Sequence, residues 1–193
     1  RNDMSHTHTA PEQPVCTNGV EVGQLTRVID AVESDPAYGQ FQFRVTNDWQ
    51  DGGLNRSRMQ GFFAGGREDE SRADAFYLDA DEPAILASGD TAPTPVEFVL
   101  HALAGCLTTT LVYHAAVRGI EIESIHSELD GDIDVRGLFG LDETVRKGFN
   151  RVRVHMRVQS TASAAELKEL AMYSAVYEMV SGSLPVEVRL ETC

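Results

Sequence analysis

Between Phe98 and Val117 the chain carries no Asp, Glu, Lys or Arg. The run is framed as a helix: Thr94, Pro95 and Glu97 stand at N-cap, N1 and N3, the positions of a capping box with its preferred proline, and Gly119 supplies a stop. A helix of about 20 uncharged residues could span a bilayer. His101, His114, Gly105 and the triplet Thr108, Thr109 and Thr110 are together too polar for lipid, so the helix over 95–118 is expected inside protein. A helix that is apolar nearly all round must be buried nearly all round. One small sheet covers one face only, so a second copy of the chain is expected on the other, as a homodimer.

The remaining composition narrows the partners. Sixteen Lys and Arg against 30 Asp and Glu give a net charge of −14, which repels nucleic acid and anionic membrane surfaces. Cys16, Cys106 and Cys193 form no CxxC and no close pair, so neither a disulfide framework nor a zinc site is signalled. No secretory signal pattern opens the chain, and a reducing, cytoplasmic setting is expected. Residues 1–18, with His6, His8, Pro11 and Pro14, read as a flexible tail, and 19–37 as a helical appendage with Leu25, Val28, Ile29 and Val32 at helical spacing up to Pro36. The principal domain is expected over 38–193.

Within it, Phe41, Phe43 and Val45 alternate with polar residues as in a strand, and Asp51, Gly52 and Gly53 supply a hairpin turn. The return strand is expected over Met59–Phe63, and a third over Phe76–Leu78. After the long helix, one strand is expected from Ile122 to Val135, interrupted at Gly131. Another carries Val152, Val154, Met156 and Val158 in strict alternation with Arg151, Arg153, His155 and Arg157. Ser163 and Glu166 open a further helix with an inner stripe of Leu167, Leu170, Ala171 and Ser174, the serine bonding back to the Leu170 carbonyl. Val186, Val188 and Leu190 suggest a closing strand. The fold class is α+β.

Cys106 lies mid-helix with Ala102, Leu103, Thr109 and Thr110 one turn away, where neither a base nor the helix dipole assists it. A thiol so placed is expected to have a raised pKa unless a charge arrives from elsewhere. Glu97 precedes it by about two and a half turns, roughly 13 Å of rise, on the opposite face, so the two could meet only across a dimer. His101 is read as an i,i+4 partner of Glu97. His101 and His114 point apart and signal no metal site.

The segment Ala92-Pro93-Thr94-Pro95-Val96-Glu97, followed by Ala104-Gly105-Cys106 on one helix, resembles the core of the osmotically induced protein C and organic hydroperoxide resistance (OsmC/Ohr) family. The likeness runs from about residue 38 to the C-terminus, through Gly119, 132–137 and 148–158. It implies two small antiparallel sheets wrapped around long central helices in an intertwined homodimer, with sites at the interface. It also implies that Cys106 is a peroxidatic cysteine attacking small organic hydroperoxides, with Glu97 and an arginine, Arg56 or else Arg58, holding it as thiolate, and no cofactor or metal. Ser174 occupies the place of the family's second, resolving cysteine, which implies a subgroup that relies on an external thiol or dithiol reductant. The alternative is a non-enzymatic dimer that binds a hydrophobic ligand in its interface pocket.

Overall fold

In the computed structural model, which describes residues 15–182 and 185–189, a small hairpin of β1 (Cys16–Thr17) and β2 (Val20–Glu21) leads into α1 (Val22–Ser34). Two hairpins follow, β3 (Thr46–Asp51) with β4 (Leu54–Met59) and β5 (Phe62–Ala64) with β6 (Arg67–Asp69), before β7 (Phe76–Ala80) pairs with β4. Next come α2 (Pro95–Val117), β8 (Ile122–Ile133) and the single turn α3 (Val135–Leu138). The described elements close with β9 (Phe149–Ser160), α4 (Ala164–Ala171) and α5 (Ala175–Ser181). This is the mixed α+β arrangement with small antiparallel sheets that the sequence predicts.

Both ends of α2 are built from the residues that mark them. The Thr94 hydroxyl accepts from the Glu97 amide (3.2 Å), and the Glu97 carboxylate accepts from the Thr94 amide (2.8 Å), closing the capping box. At the other end Gly119 adopts φ 68°, and the amides of Gly119 and Ile120 donate to the carbonyls of Ala116 and Ala115, a Schellman stop. Between them Leu103, Leu107, Leu111 and Ala115 repeat at i+4 and are buried against Leu167, Leu170 and Ala171 of α4. Ile125 and Leu129 of β8 and Val152 and Met156 of β9 complete this core. Each fully buried leucine contributes about 1.5–3 kcal/mol. The opposite side of α2 stays uncovered, with Gly105, Thr109 and Tyr113 exposed.

Four local expectations are corrected. Phe41, Phe43 and Val45 alternate but lie outside the strands, because the backbone here bonds only through Gln42 to Phe63; β3 begins at Thr46. β8 passes through Gly131 without interruption: a side chain there would stand 2.5 Å from the Phe149 ring, so the glycine serves packing, not a break. The helix after Ser163 ends at Ala171 and Ser174 starts a new one, α5, its hydroxyl accepting from the Tyr177 amide (3.2 Å) instead of bonding back to Leu170. Val186 and Val188 belong to no regular element; Leu190 lies outside the described residues, as do residues 1–14 and Cys193. Within the segment read as a tail, Asn18 docks where α2 gives way to β8, donating to the Ile120 carbonyl (2.9 Å) and accepting from the Ile122 amide (2.8 Å).

The β3–β4–β7 sheet sorts its side chains by face. Trp49, Met59, Phe76 and Leu78 fall on one side together with Asn47, Asn55 and Ser57, and Asp48, Arg56, Arg58, Tyr77 and Asp79 on the other, as the period-2 register requires. Trp49, Phe76 and Leu78 are exposed.

Candidate functional site

Ala102, Cys106, Thr110 and His114 succeed one another at i+4 along α2, beside the buried leucine stripe. The junction between α4 and α5 lies along this row: the Tyr173 ring stacks on His114 with centroids 4.6 Å apart, and the next residue, buried Ser174, caps α5. The Thr110 hydroxyl stands 3.9 Å from the Cys106 sulfur. Burial alone would push this thiol up, as the sequence predicts. That effect is outweighed by donors: the Ser174 hydroxyl, the Val176 amide, the Thr110 hydroxyl and the Ala175 amide together bring the Cys106 pKa below its ordinary value. The expectation of a raised pKa is thereby corrected, because the polar groups come from a chain segment that helix neighbours do not reveal. His114 titrates below its ordinary value, through burial and the adjacent Arg118 charge, and donates no positive charge to the thiol near neutrality.

Glu97 is spent on its own cap, its carboxylate accepting from both the amide and the hydroxyl of Thr94. No bond from it to His101 is present among the described residues. Arg56 lies exposed on the polar face of the sheet, where Nε and Nη2 each donate at 2.7 Å to the carboxylate of Asp79. That pairing raises the Arg56 pKa and lowers that of Asp79. Arg58 donates to Gln60. Among the described residues, then, one chain brings Cys106 and Ser174 together but bonds neither Glu97, Arg56 nor Arg58 to the sulfur. Cys16 is a free, exposed thiol two residues from Asn18, which is anchored about four helical turns beyond Cys106.

One carboxylate that sequence patterning misses organises the approach to α2. Asp81, 1% exposed, accepts from the Ser88 hydroxyl (2.6 Å), the Thr91 hydroxyl and amide (2.8 and 3.0 Å) and the Glu82 amide (2.8 Å). Ser88 first, and Thr91 and Glu82 with it, hold the Asp81 carboxyl far below the usual carboxylate range. Through Ser88 the loop also clasps the Gly53 amide (3.0 Å), tying the hairpin to the segment that presents Thr94. No periodicity marks such a residue; the sole hint is a cluster of hydroxyls after an Asp-Glu-Pro.

A largely apolar cavity of about 750 Å³ has walls that include Val99, Ala102, Leu103, Val176, Arg146 and Arg151, and Cys106 itself is not among them. Ala102 and Leu103 precede Cys106 by one turn, and Val176 supplies one of its amide donors. No cluster of His, Cys, Asp or Glu suited to a metal occurs among the described residues.

A family profile described as OsmC-like protein matches residues 88–191, just over half of the chain, from the loop before α2 past α5. The chain belongs to the OsmC-like family. Solved structures agree at the level of fold. The OsmC-like protein of Mycoplasma pneumoniae is 16% identical with a TM-score of 0.56, the alignment covering 74% of this chain and 89% of that one. An OsmC-like protein of unknown function from Vibrio cholerae is 12% identical with a TM-score of 0.50 over 76% and 95% of the two chains. No curated protein matches the OsmC-like chain in sequence.

Proposed function

We propose that this OsmC-like protein reduces small organic hydroperoxides through Cys106, without an internal resolving cysteine. The observation that carries this reading is a thiol drawn toward thiolate one helical turn from Ala102 and Leu103, which line a largely apolar cavity. The Cys106 thiolate attacks the terminal oxygen of ROOH and the O–O bond breaks. The electron pair leaves on the alkoxide, which takes up a proton as ROH, and Cys106 becomes a sulfenic acid. An external thiol condenses with the sulfenic acid, releasing water and leaving a mixed disulfide. A second thiolate then expels Cys106, so the two electrons depart in the oxidised external disulfide.

The working unit in this proposal is a homodimer. The open side of α2 and the face of the β3–β4–β7 sheet that carries Trp49, Phe76 and Leu78 both leave apolar side chains exposed, and a second copy offers each what the other needs. Glu97 and Arg56 act in this reading only from one copy toward Cys106 of the partner subunit, Arg56 exchanging Asp79 for the thiolate. The length of α2 would suffice for a membrane, but its leucine stripe is already packed against α4, β8 and β9. A reducing, cytoplasmic setting suits an unpaired, oxidisable thiol.

The cavity also favours a second reading, a non-enzymatic dimer that holds a hydrophobic ligand there. The two separate on treatment with one equivalent of cumene hydroperoxide, sulfenate trapping with dimedone and peptide mass mapping. A hydroperoxide reductase labels at Cys106, faster with cumene hydroperoxide than with hydrogen peroxide, and turns over when a dithiol is added. Cys106 that stays reduced in the folded protein leaves the ligand-binding reading in its place.

A further inference from the structure

The cavity of about 750 Å³ lies between the first turns of α2, the start of β9 and α5, a size typical of ligand sites rather than packing defects. Its apolar wall comes from three elements, through Val99 and Leu103, Val152, and Val176. Arg146 and Arg151 stand in the same wall, which holds no Asp or Glu among the described residues. That selection runs against the composition, since the chain carries 30 acidic residues and 16 basic ones. The ion pairs of the described residues involve neither arginine. Arg151 stands opposite Asp132 on the β8–β9 ladder, but that carboxylate accepts from Arg153 at 2.6 and 2.8 Å. The loop that carries Arg146 is seated by close packing: a Cβ on Gly137 would stand 2.5 Å from the Arg146 carbonyl oxygen, and one on Gly131 2.5 Å from the Phe149 ring. Glycine at both positions lets α3 and β8 hold the loop against the start of β9.

An apolar cavity with two arginines and no acid in its wall matches one ligand chemistry, an apolar chain that ends in an anion. Each methylene taken out of water tightens binding by up to about fourfold. A guanidinium answers a carboxylate with two parallel donors, and its own apolar stem can lie along the wall while its head stays in water. The net charge of −14 does not cancel this, because charges farther away than a Debye length of about 8 Å are screened at physiological ionic strength. We infer that the cavity is a binding site for an aliphatic carboxylate, its chain among the valines and its head at Arg146 and Arg151. This rests on the reading of the cavity as a ligand site and supplies the class of ligand. It asks nothing of the thiol: Cys106 is outside the wall, and the ligand needs no O–O bond.

The test is calorimetric titration of the full-length protein, without peroxide, with octanoate, 1-octanol and octyltrimethylammonium, chains of equal length and different heads. Octanoate should bind tightest, by about threefold to tenfold over octanol, with the ammonium weakest. Decanoate should bind at least about fourfold tighter than octanoate. Arg146→Gln and Arg151→Gln, both at exposed positions, should each weaken octanoate about threefold and leave octanol unchanged. Added salt should weaken octanoate alone. Decanoate carrying a diazirine at its chain end should, on irradiation, label α5 or the first turns of α2 in a peptide map. Octanol that binds as tightly as octanoate, or arginine variants that bind octanoate as the wild type does, overturn the assignment of the anion and leave the cavity an apolar site. A label confined to other parts of the chain overturns the location. Binding of none of the probes removes the ligand-site reading altogether and gives the cavity to a second copy. Because no peroxide is present, each of these results leaves the dimedone experiment on Cys106 to decide the thiol chemistry on its own.

Discussion

The two halves of this chain solve the burial problem differently. From α2 onward, helices and the β8–β9 sheet face each other across a shared core, so Leu111 of α2 is 1% exposed within one chain. The β3–β4–β7 sheet has the same alternation of apolar and polar faces, yet Trp49, on its apolar side, is 73% exposed. The leucine stripe of α2 is covered within one chain; the sheet face that carries Trp49, Phe76 and Leu78, with Asn47, Asn55 and Ser57 among them, leaves those three large side chains exposed. The difference is what the proposed homodimer would account for, a second copy supplying the cover for the sheet and for the open side of α2.

The largest effect is expected where the core is complete. Leu111→Ala removes the most buried large side chain on α2 and should destabilise the fold by roughly 2–5 kcal/mol, measured by chemical denaturation of the purified protein. A loss well under 1 kcal/mol would mean that the leucine stripe is not the core. In the incomplete region the same logic predicts a loss of association rather than of folding. Leu78→Asp sets a charge on the apolar sheet face at a site already 46% exposed. It should cost the protomer little but dissociate the dimer at concentrations where the wild type stays associated. If Leu78→Asp associates as the wild type does, that face is not an interface.

The smallest change in stability is expected at the α4–α5 junction. Ser174→Cys gives up an N-cap worth about 1 kcal/mol and otherwise exchanges one atom for another next to the Cys106 sulfur. Oxidation with one equivalent of an organic hydroperoxide should convert this variant to an intrachain Cys106–174 disulfide, seen by non-reducing peptide mapping, with faster turnover on a dithiol. A bridge between chains instead would place position 174 of one copy against the thiol of the other and redraw the site.

Much of the scaffold was legible because it rests on local physics. The uncharged run, Thr94, Glu97 and Gly119 define α2 almost to the residue, and the alternation from Val152 to Val158 locates β9. Alternation misled at Phe41–Val45, where the pattern is real but a single bridge from Gln42 to Phe63 takes the place of a ladder. Ser174 fitted the helical period of Leu167, Leu170 and Ala171, yet a serine can equally end one helix and cap the next, and the hydroxyl chose the Tyr177 amide. Cys106 could be named from its motif, but its surroundings could not, since the donors that lower its pKa arrive from the α4–α5 junction. Asp81 was invisible for the same reason: its partners Ser88 and Thr91 matter by folding back, not by spacing.

The claim on which the comparison turns is that a second copy covers the sheet and α2. Sedimentation velocity of the wild-type chain at micromolar concentration, with helical content followed in the same samples by circular dichroism, tests it most directly. The account predicts a single dimeric species across the dilution series, with helical signal lost only as the dimer is lost. A folded monomer that retains the full helical signal at those concentrations would contradict it, and the interface site with it.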